Sequence, residues 1–234
     1  MPSKTLRIVS FNILYSLRHR RLTRGVFDAF GELDPDVICL QEVLIGKKRN
    51  FARDLADALG LHVAFSLRRE YGGRQIGLAV LSRAPAEENT AVVLPRSPAK
   101  RPRIVQIVQI MHKGTTWRIA NTHLSSISAD ARATQITAVL SSLNGRPEPT
   151  PLVLVGDFNT KTQREIIRFG SALKNAGFSA PETLPYSWRL LGAKKRLDWI
   201  ATRHCDIPVI ETLPHIRGSD HVPVWADISY APQQ

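Results

Sequence analysis

Asn12, Glu42, His123, Asp157, Asn159, Asp198, Asp220 and His221 share one kind of position: each stands at or beside the end of an apolar run. "LRIVSFN" ends in Asn12, "DVICLQE" in Glu42, "RIANTH" in Asn121, Thr122 and His123, and "LVLVGDFN" in Asp157 and Asn159. "RLDWIAT" carries Asp198 near its start, and "GSDHVPVWADI" carries Ser219, Asp220 and His221 just before a run. One such tip is an ordinary turn, because Gly tolerates positive φ and Asp or Asn bond their own backbone. Six tips bearing groups fit for metal or proton chemistry point instead to convergence on one rim. The donors are carboxylates, amides and imidazoles, an oxygen-rich set that suits Mg²⁺ or Mn²⁺. A histidine bonded to a carboxylate is a base near neutrality, since the acid fixes its tautomer and supports its cation. There is no Cys/His cluster with zinc spacing, no glycine-rich phosphate loop and no Gly-x-Ser-x-Gly elbow.

The elements that must carry these tips follow from the apolar period, which alternates between two and about 3.6. Strands are expected at "LRIVSFNI", "DVICLQEV", "IGLAVLS", "PLVLVGDF", "RLDWIAT", "IPVIETL" and "VPVWADISY", with a hairpin of "RIVQIVQIMH" and "TWRIANTHL" across Lys113–Thr115. Helices are expected over Leu22–Leu33, in "NFARDLADALG" stopped by Gly60, in "ADARATQITAVLSSL", and in "QREIIRFGSALKNAG" closed by Gly177. A central hairpin and terminal strands do not fit a purely parallel sheet, so mixed sheets with helices outside are expected. The Pro-rich pieces "LPRSPAKRPR" and "NGRPEPTP" are short enough to be loops, and one domain over residues 1–234 is expected.

At 43% hydrophobic and 22% charged, the 234-residue chain reads as soluble with a sizeable core. No apolar run approaches the roughly 18 residues of a membrane span. The start, "MPSKTLRIVSFN", lacks the apolar region of a signal peptide. Cys39 and Cys205 sit in apolar segments and read as buried thiols, which fits a cytoplasmic protein. The net charge is +12. Its cations are clumped at Arg18–Arg24, Lys47–Arg53, Arg68, Lys100–Arg103 and Lys194–Arg196. A single clump is a solvated face, but so many favour a polyanionic partner, nucleic acid or an anionic lipid surface.

The ordered motifs "SFN", "PDVICLQEV", "GLAVLSR", "NTHLS", "VLVGDFNT", "RLDWIAT" and "GSDHVPV" resemble those of the endonuclease/exonuclease/phosphatase family, from Ser10 to Val224. The resemblance implies a four-layer α/β sandwich of the DNase I-like kind, two packed mixed sheets flanked by helices. It also implies divalent-metal hydrolysis of phosphate esters, Mg²⁺-dependent with Mn²⁺ as a substitute. By that resemblance Glu42 is a metal ligand, supported by Asn12 and Asp220. Asp157 and Asn159 position the water or leaving group and the phosphate, and Asn121, Asn159 and His123 contact substrate. His221 activates water or stabilises the pentacovalent phosphate, and Asp198 orients it. The bland reading of Asp198 is a salt bridge with Arg196. His123 resembles the second histidine of the DNase I, sphingomyelinase and 5-phosphatase branches.

Two departures narrow the reading. Where abasic-site endonucleases carry N-x-D, this chain has Asn12, Ile13 and Leu14. The acid that pairs with the second histidine has no clear counterpart; Glu70 is read as a surface acid, with a pairing role as the alternative. The substrate expected is DNA or RNA, because scattered cations grip phosphates without reading sequence. A lipid head group or small phosphoester is the alternative, and a non-enzymatic relative a third. No protein partner is indicated.

Overall fold

The computed structural model describes residues 4–16, 19–47, 49–96, 101–145 and 150–231. The side chains of Arg18–Arg24, Lys48, Arg49 and Lys100 lie outside what is described, as do the central residues of both Pro-rich pieces, 97–100 and 146–149. In chain order the strands are Lys4–Asn12 (β1), Val37–Gly46 (β2), Arg49–Asn50 (β3), His62–Tyr71 (β4), Arg74–Ser82 (β5), Ala86–Val93 (β6), Ile104–His112 (β7), Thr115–His123 (β8), Leu152–Asp157 (β9), Trp188–Leu190 (β10), Ala193–Lys195 (β11), Asp198–Arg203 (β12), Asp206–Thr212 (β13) and Val224–Tyr230 (β14). The helices are His19–Leu33 (α1), Phe51–Leu59 (α2), Ala129–Ser142 (α3) and Gln163–Asn175 (α4).

One sheet runs β13-β14-β1-β2-β5-β4, with β3 beside β2; the other runs β12-β9-β8-β7-β6. Each contains one parallel pair, β1 with β2 and β8 with β9, and is otherwise antiparallel. A parallel pair needs a long crossover, which α1 and α3 supply. The layering shows in three apolar clusters. Ile8, Val37, Val80, Ile119, Val153, Val155 and Ile200 fill the space between the sheets. Phe11, Phe30, Phe51 and Leu55 pack α1 and α2 on the outside of the first sheet. Val139, Leu154, Phe169 and Trp199 pack α3 and α4 on the outside of the second. This is the expected DNase I-like sandwich. Each large side chain removed from water contributes about 1.5–3 kcal/mol, so the sheet interface fixes how the strand tips face one another.

Local chemistry sets the helix ends. Asn50, Ser128 and Thr162 accept N–H bonds from Arg53, Ala131 and Glu165 and so start α2, α3 and α4. Gly60, with φ +65°, stops α2, and Gly177, with φ +76°, follows α4. The β7–β8 hairpin turns at Lys113 and Gly114, both at positive φ, as a two-residue turn requires.

Candidate active site

Along the inner face of the central strands, period two carries apolar core toward polar rim. On β8 the sequence is Ile119, Asn121, His123; on β9 it is Val153, Val155, Asp157; on β1 it is Ile8, Ser10, Asn12. Register then aligns the tips. Asp157 is the partner of His123 across the parallel pair and of Asp198 across the antiparallel pair. Gly156 makes this spacing possible: at φ +140°, an added Cβ would lie 2.0 Å from the Thr122 carbonyl oxygen. Beyond it, Phe158 is buried on the Trp199 ring, 5.6 Å between centroids, which leaves Asp157 and Asn159 facing the rim. Asp157 Oδ1 accepts the Asn159 N–H at 2.9 Å, so the "GDFN" tip is both a turn and part of the pocket.

Glu42 reaches the same rim by a different device. Strict alternation would turn it away, since Gln41 faces the sheet interface. A β-bulge between Leu40 and Val43, with Glu42 at φ +56°, brings it back.

An open pocket of about 220 Å³ results, lined by Asn12, Glu42, His123, Asp157, Asn159, Asp220 and His221. His221 Nδ1 is 2.9 Å from Asp198 Oδ2, and its Nε2 is 3.6 Å from Asp157 Oδ2. Arg196 instead lies over the Tyr186 ring at 4.2 Å, so the strand-end salt bridge with Asp198 does not form. Burial works against a charged His221, but Asp198 and then Asp157 outweigh it and raise its pKa above the ordinary value. His123 Nε2 is 3.4 Å from Asp157 Oδ2, and its Nδ1 is 3.9 Å from Glu42 Oε1. Burial, followed by the cations of Arg103 and Arg68, holds His123 well below the ordinary histidine value, so it is neutral at pH 7. Burial and Asp157 push the Glu42 carboxyl up to about 7, against Arg103, Arg68 and His221. Asn12 Nδ2 donates to Asp157 Oδ2 at 3.0 Å, joining the two sheets across the pocket.

The donors fit a hard divalent cation. Glu42 Oε2 is buried without a hydrogen-bond partner, and Asp220 and Asn12 line the same pocket. Among the described residues no three His, Cys, Asp or Glu side chains form a cage on their own. Magnesium does not need one: it is held by one or two carboxylates, with water and substrate phosphate completing its shell.

One expectation is corrected. Asn121 does not reach the pocket. It is fully buried, accepts from Gln41 Nε2 at 2.9 Å, and donates to the Leu40 and Ala79 carbonyls at 3.1 and 3.2 Å. It sits one strand period below His123 and ties the two sheets together, so it cannot touch substrate. Glu70 is the surface acid expected of it, exposed and accepting from Gln75; the carboxylates beside His123 are Asp157 and Glu42.

Other pocket groups escaped the sequence reading. Trp188 Nε1 donates to Asp220 Oδ2 at 2.8 Å, and β10 bridges to His221 through Trp188. Buried Ser187 accepts the N–H groups of Leu197 and Asp198. These lie in "YSWRLLGAKK", whose three-residue strands leave no periodic signal. Lys161 and Lys195 also line the pocket.

A model of the Endonuclease/Exonuclease/phosphatase family matches residues 9–221. The chain belongs to that family. Its members are phosphoester hydrolases, in keeping with the pocket. "Protein angel" of Drosophila melanogaster is 26% identical over 195 residues, 70% of this chain and 55% of that protein, so the chain spans about half the length of that relative. The family fold recurs in D. rerio TDP2 complexed with single strand DNA product, at a TM-score of 0.77 and 20% identity over 96% of this chain and 99% of that one. It recurs in ANGEL2, described as a 2′,3′-cyclic phosphatase and solved with adenosine-2′,3′-vanadate, at a TM-score of 0.75 and 16% identity over 97% and 96%.

Proposed function

We propose that the protein is a divalent-metal-dependent phosphodiesterase whose substrate is DNA or RNA. The observation that carries the chemistry is the line Asp198–His221–Asp157 beside Asn159 and His123 in one pocket. Glu42, Asp220 and Asn12 would hold Mg²⁺ or Mn²⁺, which neutralises a non-bridging phosphate oxygen when bound. Asp198 fixes the tautomer of His221, and a cation held by Glu42, Asp220 and Asn12 would oppose the charged form that Asp198 and Asp157 favour, which would free Nε2 to take a proton from the attacking water. The water oxygen bonds to phosphorus as the P–O ester bond breaks; the departing oxygen keeps that bond's electron pair and takes a proton from solvent, while the proton of the attacking water stays on an imidazolium that two carboxylates support. Asp157 and Asn159 hold the water and the phosphate, and neutral His123 donates an N–H bond to a phosphate oxygen. Lys161 and Lys195 at the mouth favour a polyanion, as do the nucleotide ligands of the two structural neighbours. Cys39 and Cys205 are buried free thiols, which supports a cytoplasmic setting.

One observation favours a second reading, an anionic lipid head group. Leu190 and Leu191, 52% and 99% exposed, tip the β10–β11 hairpin beside the pocket and are followed by Lys194 and Lys195. Among the described residues no helix is long and apolar enough to cross a membrane. The deciding experiment incubates the protein with plasmid DNA, single-stranded RNA, sphingomyelin vesicles and bis-p-nitrophenyl phosphate, with Mg²⁺ and with EDTA. Cleavage of a nucleic acid that stops in EDTA and returns with Mg²⁺ or Mn²⁺ is expected. Cleavage of sphingomyelin alone overturns the nuclease reading, and full activity in EDTA overturns the metal.

A further inference from the structure

Two arginines outside the pocket lining, their charges felt at Glu42 and His123, hold no anion among the described residues. Arg103, immediately before β7, is only 4% exposed, its Nη1 is sealed from solvent, and it makes no side-chain hydrogen bond or ion pair with any described residue. An unpaired buried charge is costly, and a protein keeps one only where something offsets it. Register carries Arg103 past His123: Val105 partners Thr122, so the antiparallel run sets Ile104 opposite His123 and Arg103 one residue beyond. Arg68 comes from the other sheet. It is the extra residue of a β-bulge on β4, between Leu67 opposite Gly77 and Arg69 opposite Ile76. Gly77 also faces Val43, next to Glu42, so the Arg68 and Glu42 bulges flank the same stretch of β5. The half-buried Arg68 reaches the Tyr15 hydroxyl at 3.4 Å. Tyr15 and Leu14 both hold positive φ, +53° and +48°, a strain that recurs at ligand sites.

We propose that Arg103 and Arg68, with the Tyr15 hydroxyl, form a second phosphate subsite that takes the phosphate neighbouring the scissile one. Guanidinium groups bind phosphate oxygens through paired N–H donors, and the charges of these two act on each other and on Glu42. Their mutual repulsion is visible in the bare protein. Burial, then Arg68, lowers the Arg103 pKa to about 10. An internucleotide phosphate would relieve that repulsion, whereas a substrate with one phosphate would leave it in place. The subsite rests on the nucleic-acid reading and gives it a selection rule: substrates with at least two adjacent phosphates are preferred.

The test uses the whole protein and the variants Arg103→Met, Arg68→Met and Arg103→Lys. Heat unfolding in EDTA is followed with inorganic phosphate or with chloride at equal ionic strength. Phosphate should raise the wild-type midpoint and leave both Met variants unmoved. Arg103→Met should also unfold at a higher temperature than wild type without phosphate, because it removes an unpaired buried charge. A lower midpoint with an intact phosphate response would make Arg103 a structural residue and overturn the subsite. In the second arm, a dinucleotide with one phosphodiester is compared with the same dinucleotide carrying an added terminal phosphate, at the 5′ or the 3′ end. One phosphorylated form should gain about tenfold or more in kcat/KM, the worth of a charge-assisted hydrogen bond. Both Met variants should lose that gain, and Arg103→Lys should keep part of it. Equal wild-type rates on all forms would overturn the subsite. If no dinucleotide is cleaved while bis-p-nitrophenyl phosphate is, the nuclease reading fails, and the unfolding arm still decides whether the arginines hold phosphate.

Discussion

The two pocket histidines differ by the charges around them, and that difference gives them separate tasks. Asp198 at 2.9 Å and Asp157 at 3.6 Å favour the charged form of His221. Arg103 and Arg68, with burial, favour the neutral form of His123, and a metal cation on Glu42 would act in the same direction. His221→Ala and Asp198→Asn should therefore each lower kcat by about 10²- to 10⁴-fold with the fold intact by circular dichroism. Near-normal turnover in His221→Ala would remove the proposed base. His123, neutral at pH 7, should bond a phosphate oxygen through its N–H rather than protonate the departing oxygen. His123→Ala should accordingly slow a p-nitrophenyl diester and an unactivated diester by similar factors. A much larger loss on the unactivated ester would assign His123 to leaving-group protonation instead.

The tips work because the elements beneath them are pinned, and α3 and α4 do this for the loop that follows His123. Buried Arg132 donates to the Ser125 carbonyl at 2.9 Å and, through Nε and Nη2, to Glu165. Burial raises the Glu165 pKa, but the Arg132 bonds and the Lys161 N–H outweigh it, so it lies below the ordinary value of 4.5. A carboxyl depressed in the folded state adds stability that is full above its unfolded pKa and is lost as pH falls through the folded one. Glu165→Gln should thus lower stability at neutral pH by about 1–3 kcal/mol. The gap should narrow below about pH 4.5, traced by unfolding midpoints across that range. A gap constant with pH would show that the ion pair contributes nothing. Legibility in the sequence follows the same physics. Capped helices and buried strands such as "PLVLVGDF" declare themselves through glycine stops and apolar runs. β4 does not, because the Arg68 bulge breaks its alternation, and β6 does not, because only its first residue escapes exposure. The convergence of the tips could be read from residue types, but depth could not. Asn121 shares a face with His123 and differs only in lying one period deeper. Arg103 looks like one more surface cation in "KRPR" until β7 turns it inward.

At the scale of the whole molecule, a net charge of +12 surrounds a pocket whose own chemistry is acidic. Such a field raises the local concentration of a polyanion and is screened by salt, so the substrate class can be read from ionic strength. Lys161 and Lys195 line the mouth, and if each engages one phosphate while Arg68 and Arg103 share another, three phosphates are held. Counterion release then gives slopes of about −0.9 per contact for duplex and −0.7 for a single strand. Raising salt fourfold should weaken binding by roughly 40-fold for duplex and roughly 20-fold for single strand. The measurement is fluorescence anisotropy of labelled oligonucleotides with His221→Ala, between about 50 and 200 mM salt. A lipid head-group enzyme predicts a different pattern: no oligonucleotide binding, but retention on anionic vesicles that weakens when Leu190 and Leu191 are changed to serine. Salt-insensitive or absent binding of both oligonucleotides, together with that vesicle result, would move the protein from nucleic acid to the membrane surface while leaving the proposed catalytic residues as they are.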